Sequence, residues 1–294
     1  MNHLASTTRR AFAAIAAAAL VAPAMAAGPL QLDVYNPGHE AVFPVSSVLV
    51  SGKREAVLID AQFGQSQALQ LVGKIRASGK KLTTVYISHG DPDYYFGLET
   101  IHAAFPDAKI VATPQTVAHI QETAAGKLAF WGPQLKADAP VATIVPEVLQ
   151  GDSLSIEGRT LEIKGLDGAQ PERSYVWIPS LKAVVGGVVL ANNLHVWMAD
   201  TQTPQSHADW LATLADIQKL RPAVVVPGHY LPGASKALNA ARYTADYIRS
   251  FDREAAKAAN SQALIKAMKK QFPKAGEPGS LEISAKVAKG EMKW

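Results

Sequence analysis

From Leu30 onward, apolar positions recur first at every second residue and then at every third or fourth, and the two periods alternate along the chain. Short β-rich runs at residues 32–35, 46–50 and 56–59 predict strands, with Gly52-Lys53 as the turn between the second and third. Leu69, Val72 and Ile75 stand at helical spacing and predict a helix over residues 65–77. A strand at 83–87, a helix at 98–104, a strand at 109–112 and a longer helix at 115–128 follow. Residues 141–188 read as several further strands with little helix. A helix at 209–220 then precedes a buried strand at 223–226, which ends in Pro227-Gly228-His229. The order is strand-rich, α/β, strand-rich, α/β, which predicts two sheets packed face to face with helices outside. Residues 235–271 form an amphipathic helical tail, and the last stretch through Trp294 reads as an exposed strand or turn. No fixed-period repeat or linker interrupts this single domain, whose body spans residues 27–234 and whose extension spans 235–294.

Residues 1–26 break the pattern. Arg9 and Arg10 precede twelve apolar residues (11–22), Pro23 and the small-residue sequence Ala24-Met25-Ala26, the layout of an export signal cleaved after Ala26. Twelve apolar residues are too few to span a bilayer, which needs roughly 20. The arginine pair before Phe12 also resembles a twin-arginine signal. The expected destination is the bacterial periplasm or beyond. Removing this segment takes the formal charge from +4 to +2, which gives no support to nucleic-acid binding. Cysteine is absent, so disulfides, thiolate ligands and a cysteine nucleophile are excluded. The chemistry must come from His, Asp, Glu, Tyr or Ser.

The strand ending at Ile87 runs straight into Ser88-His89-Gly90-Asp91-Pro92-Asp93. Reactive loops sit at strand ends, where a rigid sheet aims them. His89, Asp91 and Asp93 put three potential metal donors in five residues, although an Asx-type turn capping a helix would use the same aspartates. The second strand-end histidine, His229, adds a distant partner.

These two segments together resemble the metallo-β-lactamase superfamily, with its His-x-His-x-Asp-His loop and a late Gly-His. The resemblance runs from the hairpin at 43–60 to about Gly233 and implies a four-layer αβ/βα sandwich. It includes Leu58-Ile59-Asp60, where the family often has an aspartate bracing the loop. His89, Asp93 and His229 match family ligands. Asp91 stands in place of the second His, Tyr94 in place of the last, and Gly187 in place of the bridging aspartate. Residues 165–172 carry no histidine where the third belongs.

The resemblance therefore implies a reduced, mononuclear site of His89, Asp91, Asp93 and His229, holding one divalent ion: zinc, or manganese or iron given the two carboxylates. The implied chemistry is hydrolysis of a small-molecule ester, lactone or thioester by metal-activated water, with Asp93 orienting the water. The alternative is a non-catalytic binding or accessory protein on the same fold. Tyr94, His195 and Asp200 are secondary candidates for touching substrate. Asp167, Glu172 and Arg173 fall in the third-His region, and Asp167 is a weak spare ligand. His39 and Glu40 fit a surface turn, and His102, His119 and His207 fit surface or boundary helix positions. Phe130 and Trp131 fit core packing or a pocket mouth.

Overall fold

A computed structural model describes residues 28–232 and 239–294. The export segment lies outside the described residues, as does the boundary predicted near residue 234. The first sheet has six strands in sequence order: β1 (Gln31–Tyr35), β2 (Ser47–Ser51), β3 (Glu55–Ile59), β4 (Lys81–Ile87), β5 (Lys109–Ala112) and β6 (Glu147–Val148). Pairing is antiparallel from β1 to β3 and parallel from β3 to β6. The parallel connections are the helices α1 (Gln65–Ser78), α2 (Pro92–Tyr95), α3 (Leu98–Ala104) and α4 (Pro114–Leu135). The second sheet contains β7 (Ser153–Ile156), β8 (Arg159–Lys164), β9 (Tyr175–Ile178), β10 (Ala183–Val185) and, beyond the short strand β11 (Ala191–Asn192) and helix α5 (Pro204–Lys219), β12 (Val224–Val225). Its order is β12-β10-β9-β8-β7, and β11 pairs in parallel with β13 (His229–Tyr230). Helices α6 (Ala240–Lys257), α7 (Ser261–Gln271) and α8 (Pro278–Ala288) complete the chain.

Strand periodicity divides the side chains among three cores. Along β3, Ala56 and Leu58 face α1, α3 and α4, while Val57 and Ile59 face the second sheet. Along β9, Val176 and Ile178 face the first sheet, while Tyr175 and Trp177 face α5 to α8. Both sheets are thus covered on both faces, giving the four-layer αβ/βα sandwich.

Where elements depart from expectation, the cause is local. Helix α5 begins five residues early because Thr203 Oγ1 accepts from Ser206 N at 3.0 Å and Pro204 presets the first turn. The tail is two helices, broken where Asn260 caps α7 by accepting from Ala263 N at 2.9 Å. The stretch expected as a strand or turn contains α8, which starts at Pro278 and buries Leu281 and Ala285 against α6 and α7.

Within the second sheet, the segments that follow β10 and β12 pack closely. A Cβ added at Gly228 would lie 2.1 Å from Gly187 O, so only glycine permits this approach of backbone to backbone. Gly228→Ala is expected to cost about 1–3 kcal/mol, read as a fall of roughly 2–4 °C per kcal/mol in thermal midpoint. The far-ultraviolet circular dichroism should be unchanged.

Candidate functional site

Two strand ends build the site. At the end of β3, Asp60 takes a positive φ of 65° and turns its carboxylate toward the end of β4. It accepts from Ser88 N at 2.8 Å and from Ser88 Oγ at 2.7 and 2.9 Å, while Ser88 Oγ accepts from Gly187 N at 2.7 Å. Burial pushes the Asp60 carboxyl up to about 7 despite these bonds. One side chain thereby fixes the loop at 88–93 and the backbone after β10.

The loop and its neighbours form two closed groups. In the first, His89 Nδ1 lies 3.1 Å from Glu172 O and its Nε2 lies 3.1 Å from Asp91 Oδ2. Lys127 Nζ, from α4, donates to Asp91 Oδ1 at 2.8 Å and to Gly90 O at 3.0 Å, and stands 2.9 Å from His119 Nε2. Three partners use the three donors of an ammonium. Burial opposes the charge on Asp91, but His89 and Lys127 together hold its carboxyl well below the ordinary range. Burial and then Lys127 push His119 down, so its Nε2 is free to accept.

In the second group, His229 Nε2 lies 2.6 Å from Asp93 Oδ2, and its Nδ1 lies 3.2 Å from Tyr94 Oη. Burial disfavours the imidazolium, yet the Asp93 hydrogen bond and charge raise the pKa of His229. Tyr94 is fully buried, and its ring stands edge-on to both histidines at 5.4 and 5.5 Å. It braces His229 from behind rather than facing the cavity. Burial and then Asp93 keep its phenol neutral, with a pKa far above the ordinary value.

This arrangement does not fit the ligand sphere that the sequence implied. Ligands on a tetrahedral zinc with bonds of about 2.0 Å stand roughly 3.3 Å apart, so 2.6 Å between Asp93 and His229 is the spacing of a shared proton. Asp91 already holds a fixed cation. At the bridging position, a Cβ on Gly187 would lie 2.3 Å from Ser174 O, so no carboxylate fits there. Among the described residues, no group of three or more His, Asp or Glu is placed to hold a metal ion. His89, Asp91, Asp93 and His229 are brought to one cavity, but as two pairs.

That cavity, of about 620 Å³, is bounded by the loop, α4, the 170–173 turn and the C-terminal segment. Its aromatic walls include Phe43, Trp131, Trp197 and Trp294. Trp197 and Trp294 lie edge to face at 5.0 Å, and Trp294 Nε1 donates to Asp200 Oδ1 at 2.6 Å. Burial, with Asp91 adding to it, pushes the Asp200 carboxyl up to about 6. His195 also reaches the wall, although it is buried and held by Tyr247 Oη at 3.0 Å. His119 proves to be a cavity residue, and His207 is a buried one bonded to Asp252 at 2.6 Å. His39, His102 and Asp167 are not part of the cavity wall. Lys127 and Trp294 were not singled out from the sequence. His119, Thr123 and Lys127 do form an i, i+4, i+8 stripe on α4 that pointed to one face.

Two consequences can be measured. Lys127→Met leaves Asp91 with His89 as its partner and is expected to cost about 1.5–3 kcal/mol of stability by urea unfolding; carboxyl NMR should show the Asp91 pKa rising. Burial, then Lys269, depresses His195 from 6.5 to about 4. The unfolded chain therefore binds the extra proton between those values, and stability falls as pH drops from 6.5 toward 4. His195→Gln should flatten the slope of stability against pH in that window.

Residues 41–229 match the family described as the Metallo-beta-lactamase superfamily. No curated protein matches the sequence. Among solved structures, a metallo-beta-lactamase family protein from Thermus thermophilus is similar at 16% identity, covering 88% of this chain and 91% of that one, with a TM-score of 0.61. A metallo-beta-lactamase from Pontibacter korlensis is 19% identical over 75% of this chain and 95% of its own, TM-score 0.54. The DIM-1 metallo-beta-lactamase is 15% identical over 76% and 98%, TM-score 0.55. With the family match covering most of the chain and the same sandwich recurring in these structures, the chain belongs to the metallo-beta-lactamase superfamily.

Proposed function

We propose that this chain uses the metallo-β-lactamase fold to bind a small molecule, in a cavity where side-chain ion pairs stand in place of a metal centre. Members of the superfamily generally bind divalent metals, usually zinc; here the observation that carries the reading is Lys127. Its ammonium spends all three donors on Gly90 O, Asp91 and His119. A divalent ion on Asp91 would have to compete with this cation for the carboxylate that it already neutralises. The opening segment, residues 1–26, supports export to the bacterial periplasm or beyond as the setting.

A second reading, hydrolysis in the same cavity, draws on one specific observation. Asp200 is a cavity carboxyl, held by Trp294 Nε1 at 2.6 Å, whose pKa is raised above the ordinary value, which suits it to give or take a proton. In that reading Asp93 does not orient water; its oxygen accepts from His229 and fixes that ring.

Elemental analysis of the mature protein, purified without chelator, separates these readings from the mononuclear site first expected. The expected result is no stoichiometric zinc, manganese or iron, in wild type or in His89→Ala and His229→Ala. One equivalent of metal in wild type, lost in both variants, would overturn the binding reading.

A further inference from the structure

The cavity contains a second cation whose situation is the reverse of that of Lys127. Arg173 lines the cavity from the turn before β9, is only 5% exposed, and has its guanidinium 4.1 Å over the ring of Trp210. Its Nε and Nη2 are buried without any hydrogen-bond partner. Asp200, Asp91 and Glu172 all act on it electrostatically, but among the described residues none forms an ion pair with it. Buried donors are nearly always satisfied, and an unpaired buried charge is among the more costly things a fold can hold. Stacking on Trp210 recovers only part of that cost. Gln170, three residues before it, lines the same cavity and donates its Nε2 to Ser206 O at 3.2 Å, so it takes up none of the Arg173 donors. The unsatisfied guanidinium therefore stands in the wall of a cavity that also presents Trp131, Trp197 and Trp294.

We infer that Arg173 is the anchor for a carboxylate group on a small ligand whose flat, apolar body lies against Trp131, Trp197 and Trp294. A guanidinium presents two parallel donors that match the two oxygens of a carboxylate. The cavity volume suits a ligand of metabolite size. The carboxylates of Asp91, Asp93, Asp200, Glu172 and Glu277 share the same wall, so a monoanion is tolerated where a phosphate dianion meets stronger repulsion. This assignment names the ligand class of the binding function proposed above and rests on it.

The test uses three probes of one shape: 2-naphthoate, 2-naphthamide and 2-naphthyl phosphate, titrated into the mature full-length chain by calorimetry and thermal shift. The naphthoate is expected to bind and raise the thermal midpoint, with the amide and the phosphate each weaker by on the order of tenfold or more. Arg173→Met should abolish this preference, and Arg173→Lys should retain part of it, keeping the charge but losing the fork. Without ligand, Arg173→Met should be at least as stable as wild type, because it removes an unpaired buried charge; a purely structural guanidinium would make it less stable. Equal binding of acid and amide, unchanged naphthoate affinity in Arg173→Met, or no binding by wild type would each overturn the inference. Stoichiometric metal in wild type together with an intact Arg173-dependent preference would overturn the binding reading alone and leave this one standing.

Discussion

A carboxylate placed beside other acids at the closed end of a cavity cannot remain ionised without a cation, and in this protein Lys127 supplies it. Asp91, Asp93 and Asp200 all face the same space, with Glu172 alongside. The ammonium reaches across from α4 to Asp91, and the same nitrogen anchors Gly90 O and His119. The loop at 88–93 is thus pinned from two directions: Asp60 through Ser88 from beneath, and Lys127 from the side. The imidazole positions follow from that pinning. His89 bridges Asp91 and Glu172 O, and His229 meets Asp93.

The backbone around the site makes the same choice of charges unavoidable. Gly187 presses against Ser174 O and Gly228 against Gly187 O, with no room for a Cβ at either position. That contact brings β13, and with it His229, within reach of a loop on the other sheet. It also denies the site a carboxylate at residue 187, which removes one acid from an already acidic wall. Close strand-end packing and a smaller donor set are two results of one steric fact.

The layers of the fold were legible because strand and helix periods are strong and separate: β3, β4 and α1 lie within a residue or two of where their apolar spacing puts them. The C-terminal region was less so, since α8 is short and its Pro278 and Gly279 read as turn residues until the apolar contacts of Leu281 are known. In the site, the loop and the distant histidine that the spacing singled out are brought to one cavity. It did not show that each would take a different aspartate, because pairing depends on side-chain direction rather than on sequence interval. Lys127 was readable in principle from the α4 stripe. Arg173 stood out only by its place in the third-His region, since its importance lies in the partners it lacks, and no sequence pattern records a missing hydrogen bond.

The two cations of the cavity divide its work. Lys127 is fully compensated, so it gives rigidity and nothing to a ligand. Arg173 is held by an aromatic face and lacks hydrogen-bond partners at two nitrogens, so the fold carries an electrostatic cost that an anion would remove. Stability and occupancy are therefore linked, and the folded state gains by RT ln(1 + [L]/Kd) as ligand concentration rises. The C-terminal segment joins the same linkage: Trp294 covers Trp197 and donates to Asp200, and Glu277 and Ser280 complete the wall. Helices that follow the sandwich thus close the cavity as well as the core, and loosening them would uncover the aromatic side on which the body of a ligand rests.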